Sequence, residues 1–245
     1  MENSKRTGSD HSILVIIPAF NEQASIGQVI DEIHVNLPQA SIVVVNDGSK
    51  DKTAEVAGRK GVFVLSHLRN LGIGSAVQTG LMFARRKGYE IAIQVDGDGQ
   101  HYPGDLKTLV TPVLEGEADL VIGSRFRGAG VFFSTLPRRI GIFFFSCLLY
   151  VLTGQWISDP TSGFRAMNRS LIDRFADRYP MDYPEPEVLM SVCRFGHRMK
   201  EVPVSMKPRT TGVSSISFFR AVYYMLKVTY AIIMESVRER ELQST

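Results

Sequence analysis

Two aspartates one residue apart, Asp96 and Asp98, stand where the apolar run of IQVDGDGQHYP (residues 93–103) ends. With only Gly97 between them, both carboxylates can converge on one hard cation whose other ligands are phosphate oxygens. A strand that ends in metal-binding acids suggests a phosphate-handling enzyme. The same letters also spell a turn between two strands, because Asp-Gly is a strong hairpin dipeptide. The motif alone does not choose between the two.

Other polar groups fall at similar places. NDGSKDKT (46–53) puts Asp47 at the end of an aliphatic run, Ser49 where it can cap a following helix, and Asp51 in that helix's first turn. Capping accounts for Ser49 and Asp51. Asp47 is free to accept from a base N–H or a ribose hydroxyl, as the acid of a dinucleotide fold does. NLGIGSAVQTG (70–80) has the flavour of a glycine fingerprint, but its spacing is wrong and the first strand ends in IPAFNE. Gly72 and Gly74 therefore read as a tight turn opening a helix that faces the site, and no nicotinamide or flavin is expected. His101 beside Tyr102 and Pro103 reads as a loop-orienting residue, while His67 and His197 have no partner in sequence.

The elements that must carry these groups alternate along the chain. Residues 13–18, 41–46, 62–65, 91–95 and 119–123 are short aliphatic runs of the kind buried on both faces of a sheet. Between them lie helix-length segments at 22–36, 51–60, 72–87 and 104–116. That alternation predicts an α/β fold with a mostly parallel sheet and flanking helices. In such sheets the carboxyl ends of the strands hold the ligand. Pro18 to Glu22, Asn46 to Ser49, Asp96 to Gln100, and Ser124 with Arg125 all fall on that edge.

A chain of 245 residues with 44% hydrophobic content fits one large domain with an appended C-terminal segment. A formal net charge of +3 gives no reason to expect nucleic acid. The opening MENSKRTGSDHS is polar, reads as a disordered tail over 1–12, and lacks a signal peptide, so a cytoplasmic protein is expected. Cys147 and Cys193 read as buried thiols in a reducing compartment. Arg125, Arg127, Arg138 and Arg139 cluster just before IGIFFFSCLLYVLTG, an apolar run of about 15 residues, shorter than the ~20 that span a bilayer. A buried or membrane-surface helix is expected there.

Taken in order, IIPAFNE, VVVNDGSKDKT, NLGIGSAVQTG, VDGDGQHYP, GSRF, DPTSGFRAMNR and EVPVSMKPRTTGVSSI resemble the family 2 glycosyltransferases, most closely the dolichol-phosphate mannosyltransferase-like branch. The resemblance covers residues 13–216. It implies a GT-A fold, Rossmann-like, with a nucleotide half (13–125) and an acceptor half (126–216). It also implies transfer of a sugar, with inversion, from a GDP- or UDP-linked donor to a polyprenyl phosphate. Carried over position by position, Pro18, Phe20 and Glu22 match the segment framing the base, and Val45 and Asp47 match the contacts to base and ribose. Asp96, Gly97 and Asp98 match the family's D-x-D, with Gln100 a metal ligand in some members. Arg125 matches an arginine near the phosphates, and Arg209 the arginine of a late loop over the diphosphate. Asn46 stands where relatives often have a second acid. Ser215 stands where mannosyltransferases carry a diphosphate-binding lysine, so either Lys207 substitutes or the donor is held differently.

The implied chemistry is that Mg²⁺ or Mn²⁺ on Asp96, Asp98 and Gln100 neutralises the leaving diphosphate, with Arg209 adding charge-assisted contacts. An acceptor phosphate is already anionic and needs positioning, for which Arg125, Arg138 and Arg139 are candidates; a solvated basic turn is the plain alternative for the Arg138–Arg139 pair. Glu187 in EPEVLM could contact a sugar hydroxyl or act as base for a hydroxyl acceptor, or simply be a first-turn acid favoured by the helix dipole. A hydroxyl-acceptor enzyme of cell-envelope polysaccharide synthesis is the runner-up. Loss of catalysis is disfavoured because the acids are present, and a nucleotidyltransferase because of the SGFR and R-x-x-G segments. Residues 217–245 read as an amphipathic helix that lies on the inner membrane face, docks on a membrane partner, or packs on the domain itself.

Overall fold

The aliphatic runs do become strands: β1 (Ile13–Ala19), β2 (Ser41–Asn46), β3 (Phe63–Ser66), β4 (Ile91–Gln94) and β5 (Leu120–Ser124). The structure, a computed structural model, describes residues 12–127, 136–181, 184–207 and 218–237. Two further strands, β6 (Arg165–Asn168) and β7 (Met199–Pro203), complete a seven-stranded sheet of order β3-β2-β1-β4-β6-β5-β7. Strands β1 to β4 are parallel, and so are β5 and β7. β6 runs antiparallel to both β4 and β5. Its sequence, RAMN, is too short and too polar to announce a buried strand.

Among the described residues eight α-helices flank the sheet: α1 (Ile26–Asn36), α2 (Thr53–Arg59), α3 (Ile73–Lys87), α4 (Leu106–Leu114), α5 (Leu136–Thr153), α6 (Arg169–Asp177), α7 (Pro184–Arg194) and α8 (Phe218–Val237). β1 alternates its side chains between two cores. Ile13, Val15 and Ile17 join α1 and α4 on one face, and Leu14 and Ile16 join α3, α6 and α7 on the other. α1 shows how the pattern specifies packing. Ile26, Val29, Ile30 and Ile33 recur at helical spacing, all are buried, and each contributes about 1.5–3 kcal/mol. Truncating Ile30 to alanine would cost about 2–5 kcal/mol.

The glycine-rich stretch before and within α3 serves packing. A Cβ on Gly80 would lie 2.3 Å from Ile16 Cγ2, so only glycine lets α3 rest this closely on β1. With β3-β2-β1 on one side and β4 on the other, strand order reverses between β1 and β4. That point opens a crevice at the strands' carboxyl ends, which is where such sheets bind ligands.

The C-terminal helix is docked on one face and open on the other. Val228 and Ile232 are fully buried in the core that also holds Val188 and Val192 of α7. Arg194 donates to the Glu235 carbonyl at 2.8 Å and pairs with its carboxylate at 3.3 Å. Leu226, Tyr230, Ile233 and Met234 face outward. No helix among the described residues is long and apolar enough to cross a membrane. Cys147 and Cys193 are free and half-buried, which corrects the expectation of buried thiols.

Candidate active site

The loops after β1 and β2 are stitched to each other through their backbones. Asn21 N–H donates to Ser49 Oγ (2.9 Å), Lys50 N–H to Asn21 Oδ1 (2.9 Å), Glu22 N–H to Thr53 Oγ1 (2.8 Å) and Gln23 N–H to Asp51 Oδ2 (3.1 Å). Asn21 holds φ at 57°, a left-handed conformation the stitching must sustain. Ser49 therefore does not cap α2, as its position suggested; Asp51 instead accepts from Thr53 N–H at 3.0 Å. Burial works to raise the Asp51 pKa, and the hydrogen bonds from Thr53 and Gln23 outweigh it, holding the carboxyl below its usual value.

Asp47 is drawn inward. Its carboxylate, buried with the rest of the residue, accepts from Leu71 N–H (2.9 Å) and Gly72 N–H (2.8 Å) at the entry to α3 and meets His67 Nδ1 at 2.7 Å. His67 Nε2 reaches Thr79 Oγ1 at 2.9 Å, so a histidine without a sequence partner acquires two. Asn46 bonds Ser66 Oγ (3.2 Å) and accepts from Ser49 N–H (3.2 Å). Pro18, Val45 and Gly97 are buried, Glu22 is half-buried, and Phe20 is exposed at the crevice mouth.

Asp96 and Asp98 leave β4 together. His101, buried and stacked on Phe164 at 4.6 Å between ring centres, accepts from Asp96 N–H through Nδ1 (3.1 Å), and its Nε2 lies 3.6 Å from Asp96 Oδ2. It orients the acidic loop, as its sequence position implied. Gln100 N–H donates to Asp98 Oδ1 at 3.0 Å. Ser25 Oγ closes the other side, donating to the Gly97 carbonyl at 2.7 Å and contacting Glu22 Oε2 at 2.8 Å.

Asp96 Oδ1 is buried and has no hydrogen-bond partner among the described residues. A buried carboxylate oxygen left bare is costly unless something cationic meets it. A Cβ on Gly163 would lie 3.4 Å from both Asp96 oxygens and 3.1 Å from Gln94 Nε2, so glycine there leaves the carboxylate its room. Hard oxygen donors with an orphaned lone pair suit a divalent cation. No group of three or more His, Cys, Asp and Glu side chains that could hold a metal ion gathers among the described residues.

Behind Asp96 lies a buried charged cluster. Arg165, fully buried in register opposite Gln94, donates to the carbonyls of Ser162 (2.8 Å), Pro160 (3.3 Å) and Glu185 (2.8 Å), while its Nη1 has no hydrogen-bond partner among the described residues. Burial pushes the guanidinium pKa down, and Tyr179, Glu185, Asp159 and Asp96 pull it back. Burial pushes the Tyr179 hydroxyl up in turn. Glu185, half-buried as a residue but with its carboxyl group desolvated, is raised by that desolvation and held back by Arg165.

Comparison with known proteins settles the family. Residues 14–175 match glycosyl transferase family 2. The chain belongs to that family. The polyprenol monophosphomannose synthase of Mycolicibacterium smegmatis is 32% identical over 216 residues, 83% of this chain and 80% of that protein. The UDP-N-acetylglucosamine–dolichyl-phosphate N-acetylglucosaminyltransferase of Methanococcus voltae is 28% identical over 248 residues, 92% of this chain and 96% of that protein. Glucosyl-3-phosphoglycerate synthase from Mycobacterium tuberculosis, solved with Mn²⁺, UDP-glucose and phosphoglyceric acid, superposes with a TM-score of 0.69 over 94% of this chain and 82% of that one, at 23% identity. The last likeness establishes a shared GT-A fold.

In this glycosyltransferase Arg125 follows directly on the carboxyl end of β5. That residue is 7% exposed, and its Nη2 and Nε donate to the fully buried Asp159 at 2.6 and 2.7 Å, with Thr161 Oγ1 at 2.9 Å. Beside it a cavity of about 190 Å³ is lined by Phe126, Arg139, Ile142, Phe143, Trp156 and Ser158. Arg139 is exposed; the Arg138 side chain and the whole of Arg209 and Ser215 lie outside the described residues. Lys207 is paired with Glu32 of α1 at 2.5 Å, and its N–H donates to the Gln100 carbonyl at 2.8 Å. It is thus tied to α1 and to the acidic loop.

Glu187 sits half-buried in the first turn of α7, and Glu185, two residues earlier, interacts electrostatically with Asp96 and Arg165. Sequence reasoning missed Glu185, Arg165, Tyr179 and Asp159. The one available signal was DPTSGFR, a charged stretch with no helical or strand period, followed by two acids in PEPE.

Proposed function

We propose that this family 2 glycosyltransferase moves a sugar, with inversion, from a nucleotide sugar to a polyprenyl phosphate at the cytoplasmic face of a membrane, with Mg²⁺ or Mn²⁺ bound. The observation that carries the reading is the shape of the acceptor half. A cavity walled by Phe126, Ile142, Phe143 and Trp156, with the Arg139 guanidinium on its lining, suits a ligand that is anionic at one end and hydrocarbon at the other. Both relatives named above carry a lipid-phosphate acceptor in their names, in line with that class.

Exposed apolar side chains also lie on α5 and on α8, which contact each other. Ile140, Phe143, Tyr150 and Val151 of α5, Trp156, and Leu226, Tyr230 and Ile233 of α8 are all at least 43% exposed. Such a patch on two adjoining helices suits a membrane surface, where Trp and Tyr favour the headgroup level. The side chains of Arg220, Val222, Tyr223 and Tyr224 lie outside the described residues.

On the donor side, Asp96 and Asp98, with Gln100, would hold the divalent cation, which when bound neutralises the charge developing on the leaving diphosphate. Pro18, Phe20, Glu22 and Gly97 line the crevice for the nucleotide, with Val45 and Asp47 shaping it from behind. His101 keeps the acidic loop in place. Arg209 would add a second cation on the diphosphate. Arg125, held by Asp159, with Arg138 and Arg139, would position the acceptor phosphate, an oxygen nucleophile that needs no base at neutral pH. A hydroxyl acceptor would need one, and Glu187 or Glu185 would then supply it.

The test is to incubate the purified protein with radiolabelled GDP- and UDP-sugars, Mn²⁺ and a polyprenyl phosphate, then extract with organic solvent. Label in the lipid phase supports the reading and names the donor. Label only in water-soluble glycan supports the polysaccharide alternative. Trp156 is the chain's sole tryptophan, so a blue shift of its emission on adding anionic vesicles would report the membrane contact directly.

A further inference from the structure

Glu201 lies on β7, the edge strand, in register with Ile122 of β5, yet its side chain is only 4% exposed. Its carboxylate receives five hydrogen bonds from four groups. Ser158 N–H donates to both oxygens at 2.9 and 3.0 Å, Ser158 Oγ at 3.0 Å and Asp159 N–H at 2.9 Å. Arg127 Nε donates from the solvent side at 3.1 Å. A carboxylate that takes two consecutive main-chain N–H groups fixes the turn carrying them, because removing it leaves both donors bare.

The next residue on that turn is Asp159, which holds Arg125 by its N–H (3.1 Å), Nε (2.7 Å) and Nη2 (2.6 Å). Ser158 in turn bonds Ser124 Oγ at 2.8 Å and lines the apolar cavity beside Arg139. Two carboxylates in series therefore run from the sheet edge to the Arg125 guanidinium. The acidic loop is held separately, by His101, Ser25 and the Gln100 N–H.

We infer that Glu201 is a positioning residue for the acceptor phosphate: through the 158–159 turn it sets the orientation of Arg125 and the Ser158 wall of the acceptor cavity, without touching substrate. This rests on the proposed reading of the Arg125 and Arg139 side as the acceptor site. A bidentate fork misplaced by about 1 Å loses much of its value, so loosening the turn weakens acceptor binding while the donor side keeps its geometry.

The test is Glu201→Gln, which keeps size but turns an amide N–H toward the Ser158 or Arg127 donors. Steady-state transfer to polyprenyl phosphate should show the acceptor KM raised about tenfold or more, with donor KM and metal dependence within about twofold. Arg127→Gln, which cuts only the solvent-side contact, should change the acceptor KM by less than about threefold. Should Glu201→Gln prove insoluble, Ser158→Ala removes two of the side-chain bonds and should raise the acceptor KM alone by a smaller factor. A parallel rise in both KM values, or a fall in kcat with neither KM changed, overturns the role of Glu201. Wild-type protein that labels no lipid phosphate overturns the acceptor reading itself, and that outcome is visible before any variant is made.

Discussion

The half proposed to bind the nucleotide and the half proposed to bind the acceptor hold their functional groups by different means. In the nucleotide half the loops after β1 and β2 are joined by backbone N–H groups to short side chains, as in the Asn21–Ser49 and Glu22–Thr53 bonds. In the acceptor half the positions are set by buried ions, with Arg125 on Asp159, Asp159's turn on Glu201, and Arg165 spread over three carbonyls. A site made of stitched backbone tolerates loss of a ligand side chain. A site made of buried charges does not, because each partner left behind is an unpaired group in a desolvated place.

The contrast breaks first at the acids. Asp98→Ala should abolish transfer, by about 1,000-fold or more, because charge stabilisation worth several kcal/mol is lost and each 1.4 kcal/mol is tenfold. The melting temperature should stay near that of the wild type, since Asp98 lies on the loop after β4, outside both cores, and its carboxylate accepts the local N–H of Gln100. Full activity in excess chelator would sink the metal requirement. A large drop in melting temperature would mean that the acidic loop is a structural element after all.

The acceptor half should behave the opposite way. Arg165→Met fills similar space but leaves the carbonyls of Pro160, Ser162 and Glu185 without a donor. It should cost about 3–5 kcal/mol, read as a lowered urea midpoint at unchanged slope. A loss below about 1 kcal/mol would show the guanidinium to be dispensable to the fold, and the proposed contrast between the halves would fail.

The same contrast explains what the sequence made legible. Strands β1 to β5 and helices α1 to α4 were readable because aliphatic runs and helical stripes are local signals, and the acids after β4 stood out by their spacing, although that spacing alone does not separate a metal site from a turn. The acceptor half resisted because its determinants are pairings across distance. Arg125 and Asp159 are 34 residues apart, and Asp159 and Glu201 42. No periodicity in DPTSGFR marks Arg165 as buried, and β6 carries only two apolar residues between its ends. Helix position ranks Glu185 and Glu187 alike, and no local pattern marks the electrostatic coupling of Glu185 to Arg165.

Outward-facing apolar residues of the acceptor half offer a smaller test. Phe143, Val151 and Leu226 are 61%, 79% and 67% exposed, so glutamate at each should change stability by no more than about 0.5 kcal/mol. Binding to anionic vesicles should nonetheless fall about tenfold or more for the triple variant, from lost apolar burial and added like charge. Unchanged sedimentation with vesicles would place the membrane contact elsewhere on the molecule.

The smallest effect concerns Glu185, and its sign follows from its surroundings. Desolvation raises its pKa above the usual 4.5, Arg165 offsets part of that, and Asp96 adds to it. An acid whose folded value lies above its unfolded one contributes its full stability below the unfolded value and loses it as pH rises through the folded value. Glu185→Gln cannot ionise and escapes that loss. The variant and the wild type should therefore melt at similar temperatures near pH 4, and the variant should melt a few degrees higher as pH rises toward 8. A difference that is constant with pH would mean that the amide merely repacks the turn. A wild type that gains on the variant with rising pH would mean that the ion pair with Arg165 outweighs desolvation, so that the buried cluster of the acceptor half is held together by the Glu185 charge rather than in spite of it.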